Sequence, residues 1–196
     1  MITAAELDTL VRARIAALPA TFPYALSVAG PSDDSDILAL AILHSAGQPN
    51  ACDWAPIIAG GTAAIAVLRL DKVTVLLRDK TGAKRLRAVI SFSPDAPAHC
   101  WLTAIAVDAT RSMPIQLKYV WAILLPVFRA LVPYGYTRLL TLNFPLDARM
   151  TAFSNPMRTQ LFMTVTEHRL DETGNVTHAA FDLDIIACLA KFEAMF

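Results

Sequence analysis

Charge is scarce in this sequence. Only 17% of its 196 residues are charged, and 17 basic residues cancel 17 acidic ones. That balance leaves no strong signal for nucleic acid, which is held mainly through phosphates and needs a cationic surface. Cysteine is sparse as well: Cys52, Cys100 and Cys188 stand apart, with no CxxC pair and no histidine at ligand spacing. The scatter argues for a reducing compartment and against a structural zinc site. No basic leader followed by an apolar stretch opens the chain, and Glu6 and Asp8 are acidic where a signal peptide carries basic residues, so a cytoplasmic protein is expected. An uninterrupted membrane span is missing too. The longest apolar candidate, 119–134, contains Pro126, Arg129 and Pro133 and falls short of the roughly 20 residues a bilayer needs.

What the chain has in quantity is apolar residues, 55% of the total, with a mean hydropathy of +0.46. This predicts a fully buried central helix together with an apolar self-association surface, and hence a homo-oligomer such as a homodimer. The length suits one domain able to bury a core without disulfides or metals.

Thr3 and Glu6 form a capping-box pattern ahead of Leu7, Leu10, Val11, Ile15 and Leu18 at helical spacing, which predicts a helix over 4–17. A short edge strand over 24–29 and a helix over 33–45 follow, the latter opened by Ser32, Asp33, Asp34, Ser35 and Asp36 as capping residues and acids. Residues 47–61 read as a long loop with Trp54 as its packing anchor. The runs 63–70, 73–78, 85–92 and 99–107 read as four strands of an antiparallel meander. In the third, Arg85, Arg87, Val89 and Ser91 alternate with Leu86, Ala88, Ile90 and Phe92, predicting one wet and one buried face. Lys80, Lys84, Arg85 and Arg87 then make a solvated basic hairpin face. In the fourth, His99, Trp101, Thr103, Ile105 and Val107 share one face, and Cys100, Leu102, Ala104 and Ala106 the other. Beyond it come a turn over 108–114 and a long helix over 115–131 that Pro126 should kink or split. A strand over 137–142, a short helix over 148–153, a hairpin of 160–169 with 176–184, and a C-terminal helix from 185 complete the chain.

The unit 99–142 is a strand, a turn, a helix and a second strand. Such a unit aims turn amides and a helix N-terminus beyond the first strand, the arrangement that binds anions. Among familiar reaction motifs the sequence has no GxSxG, GxxxxGK[ST], GxGxxG or HExxH. Cys100 adjoins His99, but neighbours on a strand point to opposite faces, so the two cannot form a nucleophile and base.

The order of elements from Thr62 to Asp184 resembles the GNAT family of acyl-CoA-dependent N-acyltransferases. The resemblance implies a single α/β (α+β) domain with a central mixed, mostly antiparallel sheet flanked by helices. Its parts would be N-terminal helices and a connecting loop over 1–61, a meander over 62–107, a helix-strand-helix-hairpin half over 108–184 and a final helix over 185–196. It also implies an acyl or aminoacyl transfer from acetyl-CoA or another acyl-CoA to a small-molecule or protein amine. The family's pyrophosphate pattern, V-x-P-x-x-R/Q-x-x-G-x-G/A, falls here on Val107 through Gln116, with Arg111 at the Arg/Gln position and Pro114 and Gln116 where glycines stand. Donor-binding residues implied by this match are Ile105, Val107, Arg111, Ser112, Met113 and Gln116. His99 takes the place of a general base early on the central strand, and its ordinary pKa suits that role. Of the family's N-x-x-A, Tyr and Gly-Phe signature, the nearest counterparts are Asn143 or Asp147 and then Phe153-Ser154. Ser154 stands in for the absent tyrosine as proton donor. The alternative expectation, from a different class, is a GNAT-like binding or assembly module without catalysis that self-associates through apolar surfaces.

Overall fold

The computed structural model describes residues 1–46, 54–141, 144–145, 163–170, 172–174 and 176–196. Helix α1 (Ala4–Ala16) starts as its capping box requires. The Thr3 amide donates to Glu6 Oε2 at 2.7 Å, and the Glu6 amide donates to Thr3 Oγ1 at 3.2 Å. Strand β1 (Tyr24–Val28) and a 3-10 turn (Pro31–Asp33) lead into α2 (Asp34–Ser45). The acids at this turn are used in ion pairs: Asp33 and Asp36 pair with Arg78, and Asp34 pairs with Arg69.

The next segment departs from the sequence reading. Helix α3 (Ala55–Asp71) takes residues 55–61 of the expected loop, whose part 47–53 lies outside the described residues, and all of the expected strand 63–70. A short apolar run rich in alanine fits helix and strand alike, and only the tertiary partner decides between them. Here α3 pairs with α2 through Arg69 and Asp34 and buries Ile65 against the sheet-side cluster. Gly61, with φ 62° and ψ −151°, breaks the helix in two in a conformation open to glycine.

The remaining elements are β2 (Val73–Asp79), β3 (Leu86–Ala96), β4 (His99–Val107), α4 (Met113–Leu131), β5 (Arg138–Thr141), β6 (Phe144–Pro145), β7 (Met163–Leu170), β8 (Val176–Asp184) and α5 (Ile185–Glu193). The strands form one mixed sheet in the order β1-β2-β3-β4-β5-β8-β6, with β7 on β8. Every pair is antiparallel except β4 with β5. The antiparallel partner of β2 on its outer side is therefore β1 and not the expected 63–70.

Two apolar layers cover the sheet. One gathers α1, α4 and α5 around Val75, Leu77, Ile90, Phe92, Cys100 and Leu102. The other sets α2 and α3 on Leu76, Val89, Ala104 and Ala106. Hence β3 has no wet face: Arg87 is 8% exposed, and Val89 and Ser91 are fully buried. Of the expected basic hairpin face, Lys80, Lys84 and Arg85 are exposed as expected, whereas Arg87 is paired inside.

Helix α4 is the central helix the composition demanded, and most of its 19 residues are buried. It runs through Pro126 without splitting, although the missing N–H removes the bond to the Ala122 carbonyl. With the following 3-10 turn, the stretch Met113–Tyr134 reaches the length and hydropathy of a membrane span, yet 78% of its apolar window is buried inside the fold. Its position is that of a core helix.

Candidate active site at the open end of the central strand

The site follows from one irregularity. On β3 the step from Ser91 to Phe92 is matched on β4 by the step from Ala104 to Leu102, so Thr103 is an extra residue, a β-bulge. Its hydroxyl donates to the Ser91 carbonyl at 3.2 Å. The bulge reverses which face the side chains reach. Cys100 and Leu102 point to the α4 layer, whereas Ala104 and Ala106 point to the α2–α3 layer. The expected common face of these four residues is thus corrected, because a period of two cannot register an inserted residue.

Past the bulge, β4 also loses its second neighbour. Pairing with β5 runs from His99 opposite Arg138 to Leu102 opposite Thr141, and among the described residues it goes no further. From Thr103 to Val107 the partner of β4 among the described residues is β3. The Asp108 amide donates to the Arg87 carbonyl at 2.8 Å, so the alternate backbone groups of Ile105 and Val107 face away from β3. Those groups meet side chains. The Trp54 indole N–H donates to the Ile105 carbonyl at 2.8 Å. His44 Nδ1 accepts from the Val107 amide at 3.4 Å and lies 3.3 Å from the Val107 carbonyl.

The turn after β4 is held by a buried ionic clamp. Arg87 donates through Nη2 to Asp79 at 2.7 Å and through Nη1 to Asp108 at 2.5 Å. Both acids hold the guanidinium charged, Asp79 most strongly, against a burial that opposes charge. Asp108 is 3% exposed. Burial alone would raise its pKa, but the Thr110 hydroxyl and amide and then Arg87 outweigh burial and lower it. Asp108 Oδ1 accepts from the Thr110 amide at 3.0 Å and from its hydroxyl at 2.6 Å. The Arg111 amide is taken by the Asp108 carbonyl at 3.2 Å.

Ser112 is the N-cap of α4, Met113 its first residue and Pro114 its second. Of the first-turn amides, Pro114 deletes one and Ile115 donates to the Ser112 carbonyl at 3.0 Å. Gln116, standing where the resembled pattern has a glycine, is 4% exposed and donates from Nε2 to the Arg111 carbonyl at 2.6 Å. The Arg111 side chain is 43% exposed, with Nε 3.8 Å from Asp108. Val107, Arg111, Ser112, Met113 and Gln116 are therefore brought together at one end of β4, with Ile105 two residues back along the strand.

His99 is not part of this group. It sits half-buried on the paired part of β4, opposite Arg138, whose guanidinium is bonded to Asp182. At roughly 3.3 Å per residue it lies about 13 Å from Thr103 and about 26 Å from Val107. Ser154 falls outside the described residues, as do Asn143, Asp147 and the expected helix 148–153.

Sequence reasoning missed His44, Asp79 and Arg87. Trp54 was identified only as an anchor, though a buried indole N–H needs an acceptor, and that signal was legible. Nothing in the sequence marks His44.

The sheet order, the single parallel pair, the split beyond Leu102 and the helix N-terminus at its open end define the GNAT-like fold. Solved acetyltransferases share it. A ribosomal L7/L12 α-N-protein acetyltransferase in complex with coenzyme A superposes with a TM-score of 0.62 at 13% identity, over 86% of this chain and 98% of that one. The Escherichia coli ribosomal-protein-S18-alanine N-acetyltransferase gives 0.57 at 12%, over 83% and 94%. A GNAT-superfamily phosphinothricin acetyltransferase from Sinorhizobium meliloti, in complex with AcCoA, gives 0.57 at 11%, over 83% and 88%. No protein-family model matches the sequence, and no curated protein matches it.

Proposed function

We propose that the chain is a GNAT-type N-acyltransferase, moving an acyl or aminoacyl group from acetyl-CoA or another acyl-CoA to an amine on a small molecule or protein. The observation that carries this reading is the split of β4 from β5 beyond Leu102, with the N-terminus of α4 at its open end. In such a slot an extended donor lies along the free edge of the strand while its phosphates meet a positive helix terminus. Arg111 and the amides of Ser112 and Met113 suit the phosphates. Ile105 and Val107 present the strand edge. Solved proteins of this fold with coenzyme A or AcCoA bound support the choice of donor.

The acceptor amine attacks the thioester only when neutral, so a base must take its proton. His99 remains the proposed base and Ser154 the proposed acid for the leaving thiolate; because His99 stands on the paired part of β4, this assignment requires the thioester to lie back along β4 toward Leu102, at the end of the donor opposite the phosphates. Held in one cleft, donor and amine react as neighbours and avoid most of the entropy of encounter.

Thermal unfolding with and without acetyl-CoA, propionyl-CoA and CoA tests the reading. A ligand at 100 times its dissociation constant adds about 2.7 kcal/mol to the folded state, a visible rise in Tm. No shift with any of the three overturns it. If His99 is the base, His99→Gln keeps the shift and lowers turnover with a panel of amines.

A second reading has an observation of its own. Ile105 and Val107 are already bonded to Trp54 and His44, as in a module that uses the fold for binding and has no donor. Exposed Val67 and Leu70 on α3 would then serve assembly. Binding of acetyl-CoA decides between the two.

A further inference from the structure

The backbone groups that a strand-like ligand would use on β4 are Ile105 C=O, Val107 N–H and Val107 C=O, and each has a side chain of the same chain against it. The Ile105 carbonyl accepts the Trp54 indole N–H at 2.8 Å, and Val107 meets His44 Nδ1 at 3.4 Å through its amide and 3.3 Å through its carbonyl. Trp54 is 2% exposed and packs with Ala104 and Ala106 on the same strand. His44 closes the last turn of α2 and Trp54 precedes α3, so both contacts come from the two ends of one inter-helix connection. In the neutral ring the two His44 contacts are alternatives, since Nδ1 accepts from the amide when bare and donates to the carbonyl when protonated.

We propose that His44 and Trp54 form an internal latch that occupies the donor-binding edge of β4, and that an acyl-CoA binds by displacing it. The proposal rests on the donor reading above and adds to it a gate built from this chain's own residues. A buried edge left without partners is costly, so an edge that must be empty before donor arrives is satisfied internally in the meantime. The apparent affinity for donor is then the intrinsic affinity scaled by the fraction of molecules with the latch open. Loosening either contact raises that fraction without adding any contact to the ligand. His44 stands in the last turn of α2 and Trp54 at the N-cap of α3, so opening the latch moves these two helix ends while α4 and the Arg87 clamp stay in place.

The test is titration of wild type, Trp54→Phe and His44→Ala with acetyl-CoA by calorimetry, together with the indole N–H resonances of the three tryptophans. Trp54→Phe keeps the aromatic packing, deletes the donor and identifies the Trp54 resonance by its loss. Expected is binding about tenfold tighter in each variant than in wild type, the scale of one released hydrogen bond. In wild type the Trp54 resonance should shift and lose protection from solvent exchange at saturating ligand, while those of Trp101 and Trp121 hold. Equal or weaker binding in both variants, with an unmoved Trp54 resonance, overturns the latch and leaves the donor reading standing. Absence of binding in all three proteins overturns the donor reading and the latch with it. Binding by the variants alone supports both.

Discussion

The two halves of β4 are one strand built on two plans. From His99 to Leu102 it is flanked by β3 and β5, and its Cys100 and Leu102 side chains are buried against the α4 layer. From Thr103 to Val107 its partner among the described residues is β3, its alanines turn to the α2–α3 layer, and the Ile105 carbonyl and Val107 meet an indole and an imidazole. The first half is held by apolar burial, which is non-directional and tolerant of detail. The second is held by a few directed polar contacts, which specify one geometry and can be exchanged for a ligand's. A single extra residue, Thr103, separates the two regimes.

The contrast is sharpest where apolar burial dominates. Leu102→Ala should cost about 3 to 4 kcal/mol in urea unfolding, from lost burial and the cavity left behind, and a loss under about 1 kcal/mol would break the claim that this half is core. Next in size is the clamp beyond the other half. Arg87→Met should cost about 3 kcal/mol, because it leaves Asp108 a buried carboxylate whose remaining cation is the more exposed Arg111, 3.8 Å away; a neutral outcome would mean that Thr110 and Arg111 together satisfy Asp108. Trp54→Phe should cost only about 1 kcal/mol, the net worth of one hydrogen bond, and a loss as large as that of Leu102→Ala would make Trp54 a core residue and not a latch.

The smallest effect concerns acid. Asp108 has a pKa lowered from the ordinary 3.8, so it binds fewer protons folded than unfolded just below that value. Its contribution to stability is full at higher pH and fades as the pH falls from there through the folded value. Arg87→Met should weaken this acid limb, measured as the difference in unfolding free energy between wild type and variant from pH 6 down to pH 3. Parallel profiles would show that Arg87 does not set the Asp108 proton equilibrium.

Much of this architecture is legible in the residues. Thr3 and Glu6 announce α1, the apolar runs of β2, β3 and β4 announce strands, and the continuous apolar surface of α4 announces a central helix. Element order then suffices to reach the GNAT-like fold. The turn at 108–112 and its location at the head of α4 are also local matters, since N-caps, prolines and Asx turns are decided within a few residues.

The failures share a cause. Whether 63–70 is helix or strand, whether Arg87 is wet or buried, and whether Leu102 and Ala104 share a face all depend on a partner distant in sequence. A helical layer covers both faces of β3, and Asp79 and Asp108 make a buried arginine affordable. The bulge at Thr103 leaves no trace in composition or period. By itself the sequence determined α1, α2, α4, strands β2 to β4, the apolar core and the turn at the head of α4, because capping, periodicity and turn chemistry act at short range. Only the tertiary structure decided that β4 parts from β5 after Leu102 and that His44 and Trp54 close the edge so opened, because those are contacts between segments that meet only when the sheet and its two helical layers are assembled.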